Sequence, residues 1–205
     1  MTERPILFSG PMVRALLAGT KTQTRRVVKP QPANGTTAYL NGVEREWDRY
    51  WPVSTARNDY TGDAVRCPYG QPGDTLWVRE TFAEKLANTG RPLGWAYRAD
   101  GERADYELGS GRWVPSIHMP RVACRLKLEV TGVRVERLKD ISEDDARAEG
   151  TTIVEGGLSP QEAYMQLWDS INEDRDGCAW RDNPWVWVVE FKTVRPSDRR
   201  NDGTR

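Results

Sequence analysis

The sequence predicts an α+β fold: a small, mostly antiparallel β-barrel with peripheral helices. Two observations carry this. Strand-like runs follow one another without a helix between each pair, so the alternation of a parallel α/β sheet is missing. The helical segments are few and short, and capping residues announce them. A chain of 205 residues suits one domain with elaborations. We read residues 1–195 as that domain, with insertions at about 29–70 and 81–120 and a disordered tail over 196–205.

Ile6, Leu7 and Phe8 form a short apolar run that reads as a buried strand. Ser9-Gly10-Pro11 starts a helix, with Pro at the first helical position. Met12, Val13, Leu16 and Leu17 keep helical spacing, and Gly19 stands where a left-handed cap belongs. The segment Lys21 to Arg26 then leaves the helix near its C-terminal end, where the dipole suits Lys21 and Arg25. Residues 29 to 74 hold five Pro and five Gly in irregular order, which reads as a surface excursion. Within it, Asn41-Gly42 predicts a tight turn between strands Thr37–Leu40 and Val43–Trp47.

Cys67 to Asp74 is turn-like, and Thr75 to Glu80 is a strand with Leu76 and Val78 on one face. Trp95–Arg98 is a second short strand, followed by an Asp100-Gly101 turn. Trp113 to Pro120 reads as an ordered loop. Val122 to Leu138 alternates apolar and polar residues as one bent strand or two, with Gly132 at the bend. Ser142 and Asp145 open a short helix that ends at Gly150. Ser159 and Glu162 open another, with Ala163, Tyr164, Leu167, Trp168 and Ile171 as its apolar stripe. Trp185 to Val194 is an apolar-rich strand.

Lys plus Arg equal Asp plus Glu at 30 each, so any polyanion contact must be local. Local asymmetry is present: from Arg4 to Val43 there are six Lys or Arg and no acid. No apolar run is long enough for a membrane span, and Met1 to Gly10 lacks a signal-peptide layout. Three widely spaced cysteines suit a reduced, cytoplasmic setting and offer no CxxC-type zinc spacing. No metal and no cofactor is expected.

Lys21, Thr24 and Arg26 form the first candidate group. The plain reading is a solvated basic loop. The chemical one pairs a Lys of lowered pKa with a Thr hydroxyl that it deprotonates, while Arg holds an anion. Glu149 ends its helix, where the dipole disfavours a carboxylate by a few tenths of a kcal/mol; a cation such as Lys21 would account for it. His118 is the sole histidine and lies in a loop near Arg121. Glu80, at a strand end, is a further carboxylate to place. The tryptophans flanking loops suit either packing or stacking on a base.

Gly19, Lys21 and Arg26 fit the GxKxxxxR signature of the ASCH superfamily, whose members have a PUA-like β-barrel. The wider run from Leu16 to Arg26 resembles small ASCH enzymes that hydrolyse N4-acetylcytidine. That resemblance implies a catalytic set of Lys21, Thr24 and Glu149, the last because Ile141 to Gly150 looks like the family's helix segment. It further implies Arg25, Arg26, His118 and Arg121 as substrate-binding residues, and a nucleoside or RNA as ligand. Stretches at Cys67–Gly70, Leu76–Glu80, Ser116–Pro120 and Asn183–Trp187 are similar to ASCH proteins of phages and prophages. The alternatives are a PUA-like reader of RNA or a modified base without turnover, and an RNA-cleaving ASCH protein. Oligomeric state is left open.

Overall fold

The structure, a computed structural model, describes residues 1–31, 36–41, 50–54, 66–87, 89–101, 112–151 and 157–194, with 36–41 and 50–54 described in backbone alone. In chain order the elements are β1 (Glu3–Leu7), α1 (Gly10–Leu17), β2 (Gln23–Val27), β3 (Thr36–Asn41), β4 (Tyr50–Ser54), β5 (Thr75–Arg79), β6 (Phe82–Leu86) and β7 (Pro92–Tyr97). They continue with β8 (Lys127–Arg137), α2 (Glu143–Ala148), α3 (Pro160–Asn172) and β9 (Trp185–Val194). The class is α+β, as the sequence predicts.

One sheet of five strands runs in the order β1-β5-β8-β9-β2. β1 lies parallel to β5 and the other neighbours are antiparallel. Two separate hairpins, β3–β4 and β6–β7, stand outside it.

β9 is the spine because its two faces both need cover. Trp185, Trp187, Val189 and Phe191 pack with Ile6, Leu16, Leu76 and Leu128 on one side. Val186 and Val188 pack with Leu138, Ile141, Tyr164 and Trp168 on the other. Each such side chain contributes about 1.5–3 kcal/mol by leaving water. The Val130–Gly132 register shift bends β8, as the sequence suggests. A Cβ at Gly132 would lie 2.6 Å from Glu190 Oε2, so a side chain there would displace the Glu190 carboxylate from its place beside Arg134.

Two expectations change. The closed barrel is not seen: among the described residues no ladder joins β1 to β2, and the sheet is open there. One side-chain bond crosses that gap, from Arg26 Nη2 to Leu7 O at 2.7 Å. The basic segment after α1 is not a solvated loop but edge strand β2, paired with β9 from Gln23↔Glu190 to Val27↔Val186. The Gln-Thr-Arg-Arg-Val pattern hides this, because neighbouring elements rather than local alternation bury it. β3 pairs with β4 at Tyr50–Ser54; the strand expected over Val43–Trp47 lies outside the described residues. Residues 42–49 and the tail 196–205 lie outside the described residues.

Candidate functional site

The site is built where α1, β2 and α2 meet. Gly19, with φ 74°, turns the chain back after α1, and Thr20 and Lys21 both donate backbone N–H bonds to Ala15 O. Lys21 then forms a backbone bridge with Glu149. Thr22 is clamped on both sides, donating to Ala148 O at 2.8 Å and accepting from Phe191 N at 2.8 Å. Ser142 Oγ caps α2 by accepting from Asp145 N, and Glu149 is its C-cap. Gly150 follows with φ 86°; a Cβ there would lie 2.9 Å from Ala15 Cβ and 3.1 Å from Lys21 Cβ. Glycine is therefore required twice over, by conformation and by space.

Lys21 is 1% exposed, and its Nζ donates to Glu149 O at 2.7 Å and Glu149 Oε2 at 2.8 Å. Burial lowers its pKa, against the pull of Glu149, and Arg26 and Arg25 push the same way as burial. Arg25 is buried beside it. Its Nη1 donates to Glu149 Oε1 at 3.3 Å, and its Nη2 reaches Glu136 Oε1 and Asp145 Oδ2. Burial opposes the Arg25 charge, but Glu149 and Glu136 outweigh it and raise its pKa. Its Nε has no partner among the described residues. Arg134 extends the network to Glu136, Asp145 and Glu190. Asp145 thus turns to arginines instead of closing a capping box, and its pKa is lowered by Arg25 and Arg134 in spite of burial.

The sequence-predicted residues separate into groups. Lys21, Glu149 and Arg25 come together. Thr24 is buried, pairs with Val189 and belongs to the β2 face opposite Arg25. No hydrogen bond joins its hydroxyl to Lys21 or Glu149. Arg26 is half-buried, with its guanidinium 5.3 Å from the Phe8 ring centre. His118 is exposed at the end of a short 3-10 turn. Arg121 forms a fork with Glu3 at 2.8 and 2.6 Å. Neither contacts the Lys21 group, and Arg121 is occupied by the β1 carboxylate Glu3. Arg25 too is less available to a ligand than expected, since three carboxylates already surround it.

Glu136, Asp145 and Tyr164 belong to the site and were not singled out from the sequence. Tyr164, with its ring 5.9 Å from the Arg25 guanidinium, has its pKa pushed well up by burial. One signal was available: Arg134 and Glu136 are two apart on one strand, hence on one face. Among the described residues no cluster of three His, Cys, Asp or Glu side chains converges to hold a metal ion. No helix among them is long and apolar enough to cross a membrane.

A cavity of about 330 Å³ adjoins the group, with Arg25 and Arg26 in its wall. Lys21, Thr24 and Glu149 do not line it.

No protein-family model matches the chain, and no curated protein does. Among solved structures, the chain is similar to an ASCH domain from Lactobacillus crispatus JV V101, at 13% identity and a TM-score of 0.39, over 94% of this chain and 79% of that one. It is also similar to protein EF3133 from Enterococcus faecalis V583, of family model DUF984, at 11% identity and a TM-score of 0.38, over 95% of this chain and 80% of that one. Overlap this slight carries neither fold nor function across.

Proposed function

We propose that the chain is an ASCH-type enzyme that removes an acyl group from the exocyclic amine of a cytidine-like pyrimidine. The observation behind this reading is the buried contact between Lys21 and Glu149, 128 residues apart in sequence. The resemblance to the small ASCH hydrolases, through the runs Leu16–Arg26 and Ile141–Gly150, pairs those two residues. Burying a lysine beside a carboxylate is costly, so its presence calls for a reason.

In this reading the neutral Lys21 amine takes the Thr24 hydroxyl proton as Oγ attacks the amide carbonyl. The tetrahedral adduct collapses, its C–N bond breaks, and the Lys21 ammonium returns the proton to the departing amine. Water then hydrolyses the acyl-threonine ester. Glu149 orients Lys21 throughout. Thr24 must approach Lys21 when substrate binds, since the two are not hydrogen-bonded at rest.

That separation favours a second reading, a PUA-like binder of RNA or a modified base without turnover. Incubation with N4-acetylcytidine followed by product analysis decides between them. The hydrolase releases cytidine and acetate, and Thr24→Ala stops it. Binding without products, in wild type as in the variant, overturns hydrolysis and supports the binder.

A further inference from the structure

The cavity beside β2 has a wall with a single sign of charge. Arg25, Arg26, Lys29 and Arg175 line it, and no Asp or Glu among the described residues does. Arg25 must be discounted, because Glu149, Glu136 and Asp145 already neutralise it. The other three are available. Arg26 makes one side-chain hydrogen bond, to Leu7 O. Arg175 makes one, from Nη1 to Asn172 Oδ1 at 3.2 Å. Lys29 is exposed and makes none among the described residues.

Two features oppose an anion there. The cavity includes Asn172, in the last turn of α3, and a helix C-terminus carries roughly half a negative charge. Glu173, Asp174 and Asp176 flank Arg175, though none lines the cavity. Three cations on the wall outweigh half a charge, and the flanking acids are exposed to water that screens them. Arg26 and Arg175 each keep free guanidinium donors, the geometry that grips phosphate oxygens.

The same wall carries Tyr69, half-buried and within electrostatic range of Arg26; burial raises its pKa, and Arg26 only partly offsets that. An aromatic next to an anion-binding fork suits a ring attached to a phosphate. The volume, about 330 Å³, stands at the small end of ligand sites, about 300–1,000 Å³, and fits one nucleotide rather than a strand.

We propose that this cavity binds a mononucleotide, with Arg26, Lys29 and Arg175 holding its phosphate and Tyr69 its base. The cavity assignment stands on the wall alone; that the bound nucleotide is presented to the Lys21 site rests on the hydrolase reading above. On both, the substrate is an acylated cytidine monophosphate rather than the free nucleoside.

Calorimetry at low salt with cytidine 5′-monophosphate, cytidine and a short oligoribonucleotide tests it, using the full chain and the Lys29→Ala/Arg175→Ala double variant. The monophosphate is expected to bind at least tenfold tighter than cytidine, and the double variant to erase that difference while its melting temperature stays within a few degrees of wild type. Equal affinity for monophosphate and cytidine overturns the proposal. So does a preference the double variant keeps, or binding of the oligoribonucleotide alone. Because the readout is binding, a chain that binds the monophosphate but hydrolyses no acylated cytidine sinks the hydrolase reading and leaves the cavity assignment standing.

Discussion

Two arginine–carboxylate clusters stand in this fold, each around a buried glutamate, and they are built differently. In one, Arg125 forks onto Glu80 at 2.8 and 2.9 Å and onto Asp100 at 2.8 Å twice, with its guanidinium 3.9 Å from the Tyr97 ring. In the other, Lys21 and Arg25 share Glu149, with Glu136, Asp145 and Arg134 behind them. Glu80 and Glu149 are equally buried, at 1% and 3% exposed. Burial of a carboxylate therefore does not mark a reactive site. What differs is the partner. Arg125 is a rigid fork whose pKa is raised further by Glu80 and Asp100 against burial, so it never gives up its proton. Lys21 is a point charge whose pKa burial lowers, which is the condition for a base. Glu80, a carboxylate left to place from the sequence, is a scaffold group.

The largest expected effect is on turnover. Lys21→Ala should lower hydrolysis of an acylated cytidine by roughly 10²–10⁴-fold, the usual worth of a positioned acid–base group. Arg25 still faces Glu149 in that variant, so circular dichroism should report a folded chain. Arg125→Met should do the reverse. It leaves Glu80 buried without a counter-ion, at about 3–5 kcal/mol of stability by denaturant unfolding, with turnover per folded molecule unchanged. Loss of turnover in Arg125→Met, or of folding in Lys21→Ala, would erase the contrast between the clusters.

Gly150→Ala probes the backbone that aims Glu149. The positive φ and the close approach to Ala15 predict a loss of about 1–3 kcal/mol, read as a lowered denaturation midpoint. The smallest effect is at Glu3, whose pKa the Arg121 fork lowers to about 2. A depressed carboxylate stabilises fully above its unfolded value near 4.5, and the contribution is lost as pH falls through about 2. Glu3 is more than a third exposed, so Glu3→Gln should change stability by at most about 1 kcal/mol at neutral pH, and by less in high salt.

Local signals in the sequence reached as far as local structure. Gly19, the Ser142 cap, the full Ser159–Glu162 capping box and the Trp185–Val194 strand are legible because each is set by neighbours within four residues or by its own pattern. The Lys21–Glu149 contact was reached only through resemblance and the oddity of a carboxylate at a helix end. β2 stayed hidden because Arg25 is buried by carboxylates supplied from β8 and α2, which no window around Arg25 contains. For the same reason Arg121 read as a ligand group. Its partner Glu3 is 118 residues away, across β1 and the turn after His118.

The central claim is that Lys21 is a buried base held by Glu149, and a pH–rate profile with N4-acetylcytidine tests it most directly. Deprotonation activates such a base, so the rate should rise with pH through a midpoint below the ordinary lysine value of 10.5, and Lys21→Ala should abolish that limb along with the activity. Release of cytidine and acetate at the wild-type rate and pH dependence in Lys21→Ala would contradict the account.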